Sequence, residues 1–116
     1  MEGKRIPARF YKTEAGNEPV REWLKQLPVG NRKIVGIDIK TVEYGWPIGM
    51  PVCRSMGKGV YEVRSSLPDG TIARVLFCIY QENMLLLHGF IKKTQKTPKQ
   101  DLDLALKRKK SLEAGK

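Results

Sequence analysis

Val60-Tyr61-Glu62-Val63-Arg64-Ser65-Ser66, Thr71-Ile72-Ala73-Arg74-Val75-Leu76-Phe77-Cys78-Ile79-Tyr80 and Met84-Leu85-Leu86-Leu87-His88-Gly89-Phe90-Ile91 decide the fold of this 116-residue chain. Each run is rich in β-branched, aromatic and aliphatic residues. The breaks between them, Pro68-Asp69-Gly70 and Gln81-Glu82-Asn83, carry turn chemistry. The pattern predicts three antiparallel strands in a meander.

On the N-terminal side the period changes. Arg5 to Tyr11 alternates loosely between apolar and charged residues and reads as a first strand at a sheet edge, with Pro7 against it. Asn17-Glu18-Pro19 supplies a capping residue, an acid and an early proline ahead of Val20, Trp23, Leu24 and Leu27, so a short amphipathic helix should end at Pro28. Val35, Ile39 and Val42 mark a second helix over residues 31–44, stopped by Gly45. Two helices on so short a link should pack as a hairpin over one face of the sheet. Trp46 to Pro51 reads as an irregular connector. On the C-terminal side, Thr97-Pro98-Lys99-Gln100 has the form of a capping box with Leu102, Ala105 and Leu106 behind it, predicting a closing helix to about Ser111. The order is strand, two helices, three strands and a helix, an α+β layout in a single domain over 1–116.

Lys and Arg outnumber Asp and Glu by 22 to 12, for a net charge of +10. Such a surplus favours polyanions, nucleic acid above all, although an acidic membrane surface or an acidic protein fits the same number. Residues 1–60 and 61–116 each hold 11 basic and 6 acidic groups, so the charge belongs to the fold and not to a tail. Cys53 and Cys78, without a Cys-x-x-Cys and with a single His in the chain, lack the company for a zinc site and read as buried reduced thiols. No apolar run, that near Met84 to Leu87 included, is long enough to span a bilayer, so a cytoplasmic protein without membrane contact is expected.

Candidate chemistry gathers on the meander. A hairpin centred near Asp69 sets Arg64 opposite Arg74, and like charges so placed repel unless an anion sits between them. Two guanidinium forks can grip one phosphate from two sides. Equally, each arginine can pair with a carboxylate such as Glu62 or Glu43 and prop the fold. Residues 88–99 hold Lys92, Lys93, Lys96 and Lys99 and no acid, and form either a phosphate-facing lip or a solvated basic loop. His88 is the one imidazole; in an apolar strand it serves as a structural residue or as a proton carrier. No nucleophilic triad, phosphate-cradling glycine loop, paired carboxylates or metal-ligand spacing is present. Cations alone suffice for one reaction, attack of an RNA 2′-OH on its own phosphorus, which needs in-line orientation, charge stabilisation and proton movement.

Tyr61-Glu62-Val63-Arg64, Ala73-Arg74-Val75-Leu76-Phe77 and the stretch Leu86 to Pro98 resemble the phage-derived HigB-like toxins of the RelE/ParE superfamily, as does a last helix carrying Ala105 and Arg108. The resemblance runs from about residue 4 to 110 in order of elements. It implies a RelE-like fold, an N-terminal helical hairpin packed on a twisted antiparallel sheet with a C-terminal helix. It further implies the toxin of a type II toxin–antitoxin pair, a ribosome-dependent mRNA endoribonuclease that uses no metal or cofactor. The implied partners are the ribosome, mRNA and a helix-turn-helix antitoxin of the HigA type. By position Arg74 matches the sheet arginine that contacts the scissile phosphate, Arg64 a basic position one strand earlier, and Lys92 and Lys93 the later basic residues. Arg74, Arg64, His88 and Lys92 are thus the candidate catalytic residues, and Lys93, Lys96, Lys99 and Lys58 the candidate RNA contacts. RelE-type nucleases often place a tyrosine in the final segment, whereas nothing aromatic follows Phe90 here. That departure leaves a ParE-like gyrase inhibitor, or an inactive relative that only binds its antitoxin, as alternatives.

Overall fold

A five-stranded sheet divides the molecule into two apolar layers. The computed structural model describes residues 3–115; Met1, Glu2 and Lys116 lie outside them. The elements run β1 (Ala8–Phe10), α1 (Pro19–Gln26), α2 (Val29–Gly45), β2 (Cys53–Gly57), β3 (Val60–Ser66), β4 (Ile72–Tyr80), β5 (Asn83–Lys92) and α3 (Lys99–Ala114). The sheet order is β1-β5-β4-β3-β2. The radius of gyration, 13.4 Å, is what a compact globule of this length requires, about 13 Å.

Alternation along the strands sorts the side chains. Val63, Val75, Phe77, Met84 and Leu86 face Val20 and Leu27 of the α1 side and Val35, Ile39 and Val42 of α2. Val60, Leu76, Cys78, Leu85, Leu87 and Phe90 face Ala105, Leu102 and Leu106 of α3. The two turns of the meander do what their residues predict. Leu67 and Thr71 close the β3–β4 hairpin, with Gly70 at φ +87°. Gln81 and Glu82 both take positive φ between β4 and β5, the pattern of a type I′ hairpin.

Several expectations change. The sheet is mixed and not wholly antiparallel, because β1 pairs parallel to β5, with Ala8 opposite Met84. That strand is three residues long, where residues 5–11 are expected to form it. Pro7 and the residues before it are drawn instead to the C-terminal end of α2, where the Glu43 carbonyl accepts from Arg5 and Ile6 and the Glu43 carboxylate accepts from the Ala8 amide at 2.6 Å. An unexpected strand, β2, pairs with β3 and makes the meander four-stranded. Its Cys-Arg-Ser-Met-Gly sequence has no apolar run to announce it. Asn17 does not cap α1; its amide and carbonyl close a turn with Thr13, and Pro19 opens the helix. Arg32 in α2 donates to the carbonyls of Leu24, Lys25 and Leu27, which joins the two helices at their link.

A bulge in β5 decides which residues face α3. Leu76 pairs with His88 and Phe77 with Leu86, so Leu87 is the extra residue, and Leu87 and His88 fall on the same side of the sheet. Beyond the bulge Gly89 faces the other layer. There a Cβ would stand 2.4 Å from Trp23 Cε3, so the indole lies directly on the glycine backbone. Among the described residues no helix is long and apolar enough to cross a membrane.

Gly89→Ala should lower unfolding stability in urea by ~1–3 kcal/mol through overpacking against Trp23, and Trp23 fluorescence should report the shift. Both cysteines are free and buried, on opposite faces of the sheet, and burial pushes each thiol up to about 11. At pH 8 an alkylating reagent should therefore leave both unlabelled in the folded protein and label both in denaturant. Rapid native labelling of either would contradict this placement.

Candidate functional site

One row across the α3-facing side of the sheet reads Arg54, Glu62, Leu76, His88, and the next reads Arg64, Arg74, Phe90. The register places Arg64 directly opposite Arg74, as the hairpin around Asp69 predicts. Their Cβ atoms are therefore ~5 Å apart.

The two arginines then part company. Arg64 Nη1 donates to Glu62 Oε1 at 2.9 Å, and its Nη2 donates to Gln95 Oε1 at 3.1 Å. Glu62 is wholly buried, and its other oxygen accepts from Thr97 Oγ1 at 2.5 Å. Thr97 therefore spends its hydroxyl on the sheet, and Pro98, with no side-chain bond, takes the N-cap position of α3. The carboxylate expected as a prop does hold Arg64. The other, Glu43, is committed to Lys4 and the Ala8 amide.

Arg74 is fully buried, and none of its three guanidinium nitrogens has a hydrogen-bond partner among the described residues. Its guanidinium carbon lies 5.9 Å from the centre of the Phe90 ring. Burial pushes its pKa below the ordinary arginine value; Glu62 and Asp101 oppose the shift, while Arg64 and Arg54 add to it. A guanidinium nonetheless stays protonated in a protein. The fold thus retains a desolvated cation with its donors uncommitted, an arrangement that costs stability.

His88 stands beside it. Its Nε2 lies 2.7 Å from Asp101 Oδ1, on the first turn of α3, and its ring stacks on Phe90 with centroids 5.4 Å apart. An ionised Asp101 can only accept, so Nε2 carries the hydrogen and Nδ1 is the nitrogen left to take up a proton. Asp101 Oδ2 is buried without a hydrogen-bond partner among the described residues. A base oriented by a carboxylate, next to an unspent cation, can move a proton while the cation stabilises negative charge.

Lys92 stands on the same face one side-chain row beyond Phe90, opposite Ile72, and the other lysines sit apart from the cluster. Lys92, Lys93 and Lys96 are exposed at the end of β5 and in the loop after it. Lys99 lies on the first turn of α3 and pairs with Asp103 at 2.9 Å. Lys58 occupies the β2–β3 turn at the other end of the sheet, where the neighbouring Gly59 approaches Lys109. The last rung before that turn, Gly57 opposite Val60, is already four residue rows, or ~13 Å, from the arginine pair. Sequence reasoning missed Asp101 and Arg54. Asp101 lies one helical turn after Thr97, a spacing that would have aimed it at the sheet, and Arg54 fell in the unrecognised strand. Among the described residues no group of three or more His, Cys, Asp or Glu side chains is placed to hold a metal.

A family model described as phage-derived protein Gp49-like (DUF891) matches residues 22–110, more than half of the chain and all of the candidate site residues. No curated protein matches the chain.

Arg74→Met should raise stability, or leave it unchanged, by up to ~1–3 kcal/mol, because a buried cation with no hydrogen bonds gives way to an apolar side chain of similar length. Denaturant unfolding of the two proteins measures this, and a large loss would mark Arg74 as a structural brace.

Proposed function

The chain belongs to the phage-derived Gp49-like family, and from that premise, together with its resemblance to RelE- and HigB-like toxins, we propose that it is the toxin of a type II toxin–antitoxin pair that cleaves mRNA on the ribosome. The observation that carries this reading is Arg74, buried opposite Arg64 with its donors unspent. Stability alone gives no reason to keep such a group, whereas a phosphorane that gains negative charge during RNA cleavage gives one.

In this mechanism Arg64 and Arg74 flank the scissile phosphate, and their charge counts most when the phosphorus becomes five-coordinate. His88, oriented by Asp101, accepts the 2′-OH proton at Nδ1, and the resulting imidazolium is stabilised by the Asp101 carboxylate. The 2′ oxygen then attacks in line, closing a 2′,3′-cyclic phosphate as the P–O5′ bond breaks, and the 5′ oxygen takes a proton from water. Arg74 is closed off from solvent, so the side chains around it must yield where RNA docks, with the Arg64–Gln95 contacts kept. Lys92, Lys93 and Lys96 supply the charge for that docking, which salt should weaken. The cognate antitoxin, of the HigA helix-turn-helix kind, would suppress the activity by binding the toxin.

Purified protein added to programmed ribosomes should cut mRNA in the A-site codon. Arg74→Met should reduce the rate about 10²–10³-fold, and Asp101→Asn should lower it by freeing the His88 ring to adopt the wrong tautomer. Intact mRNA with the wild-type protein would sink the nuclease reading. The absence of an aromatic residue after Phe90 favours one rival, a ParE-like gyrase inhibitor, and cleaved DNA trapped in a gyrase supercoiling assay would establish it instead.

A further inference from the structure

A cleft of about 500 Å³ opens beside the arginine pair, between α2 and the strand ends, with Arg64 as the wall it shares with the cation cluster. Its polar groups are Asp38, Ser66 and Gln95, and its apolar surface includes Met50 and Ile72. Met50 is 64% exposed and offers apolar surface at the mouth of the cleft. The half-buried Asp38 carboxylate has no hydrogen bond or ion pair with any described residue, in a chain with 22 basic side chains. Gln95 gives its Oε1 to Arg64, which fixes the amide so that its NH₂ group is turned toward other acceptors.

We infer that this cleft binds the base of one nucleotide of the RNA and selects guanine. The Watson–Crick edge of guanine presents two adjacent donors, N1–H and N2–H, which match the two oxygens of Asp38, and next to them the O6 acceptor, which matches the Gln95 NH₂. Adenine and cytosine place an acceptor beside their one donor, and uracil flanks its single N–H with two acceptors, so each sets a lone pair against the carboxylate. Single-stranded RNA is read in this way, by splayed bases held on their edges and packed against side chains. A base in the cleft leaves its sugar and phosphate on the Arg64 side. The inference therefore rests on the nuclease reading for its biological use, though base binding itself does not.

Two measurements separate the two. Amide chemical shifts of the ¹⁵N-labelled protein titrated with GMP, inosine monophosphate, AMP, CMP and UMP test binding without cleavage. GMP should shift residues around 38, 50–52, 64–66 and 95 with a Kd on the order of 1 mM. Inosine monophosphate, which lacks the N2 amino group, should bind more weakly by about tenfold, and Asp38→Asn should abolish the preference for GMP. In the ribosome assay, cut sites should be enriched in guanine at one fixed position beside the broken bond, and Asp38→Asn should return guanine there to its background frequency. Selective GMP binding with no mRNA cleavage would support the pocket and overturn only the nuclease. Equal shifts with all five nucleotides, none at all, or cleavage whose base preference ignores Asp38 would overturn the pocket.

Discussion

Glu62 has to be satisfied, and the surroundings of the candidate site follow from how that is done. It sits in the middle of the sheet with no solvent, so both carboxylate oxygens need donors from within the protein. Arg64, two residues along the same strand, supplies one. Thr97 supplies the other, and in doing so it pins the end of the basic loop and the start of α3 to the sheet. Once α3 begins there, its first turn brings Asp101 to His88, and its next turns bury Ala105 against Leu76 and Leu87. A single buried carboxylate thus ties the start of the last helix to the sheet.

The charge balance around Glu62 is uneven. Arg54, Arg64 and Arg74 surround one carboxylate whose oxygens are already taken, and Asp101 beyond them gives one oxygen to His88. Arg64 is spent in this balance and Arg74 is not. A fold selected for stability alone would place an apolar side chain at position 74, since buried ion clusters rarely outperform hydrophobic packing. The excess positive charge on this face is therefore better explained as complementarity to something outside the protein. The lysines of the 92–99 segment extend the same sign toward solvent.

Much of the frame was legible in the sequence. Strong periodicity marked α1, α2 and the β3–β5 meander, and the turn residues around Asp69 set the Arg64–Arg74 register. What was missed had physical reasons. β2 is short and polar because it is an edge strand, and β1 is held by Glu43 from a distant helix, a contact no local pattern reveals. The capping box at Thr97 was overridden because a buried carboxylate needs the hydroxyl more than an exposed helix start does. The bulge at Leu87 is invisible in a run of three leucines, yet without it His88 would face the helical hairpin. Asp101 became meaningful only once that imidazole was turned toward α3.

The parallel strand β1 also shapes how this protein is made. Residues 8–10 have no partner until residues 84–86 exist. Closing so long a loop is slow and entropically costly, and it comes after the local hairpins have formed. The cation face gains its cover only when α3, later still in the chain, docks on it. During synthesis the helical hairpin and the first meander strands can assemble early, but the cluster of Arg74, His88 and Asp101 has no incomplete version. A nascent chain of the first 60 residues already carries half of the net positive charge, but the cluster of Arg74, His88 and Asp101 comes together only after most of the sequence has emerged.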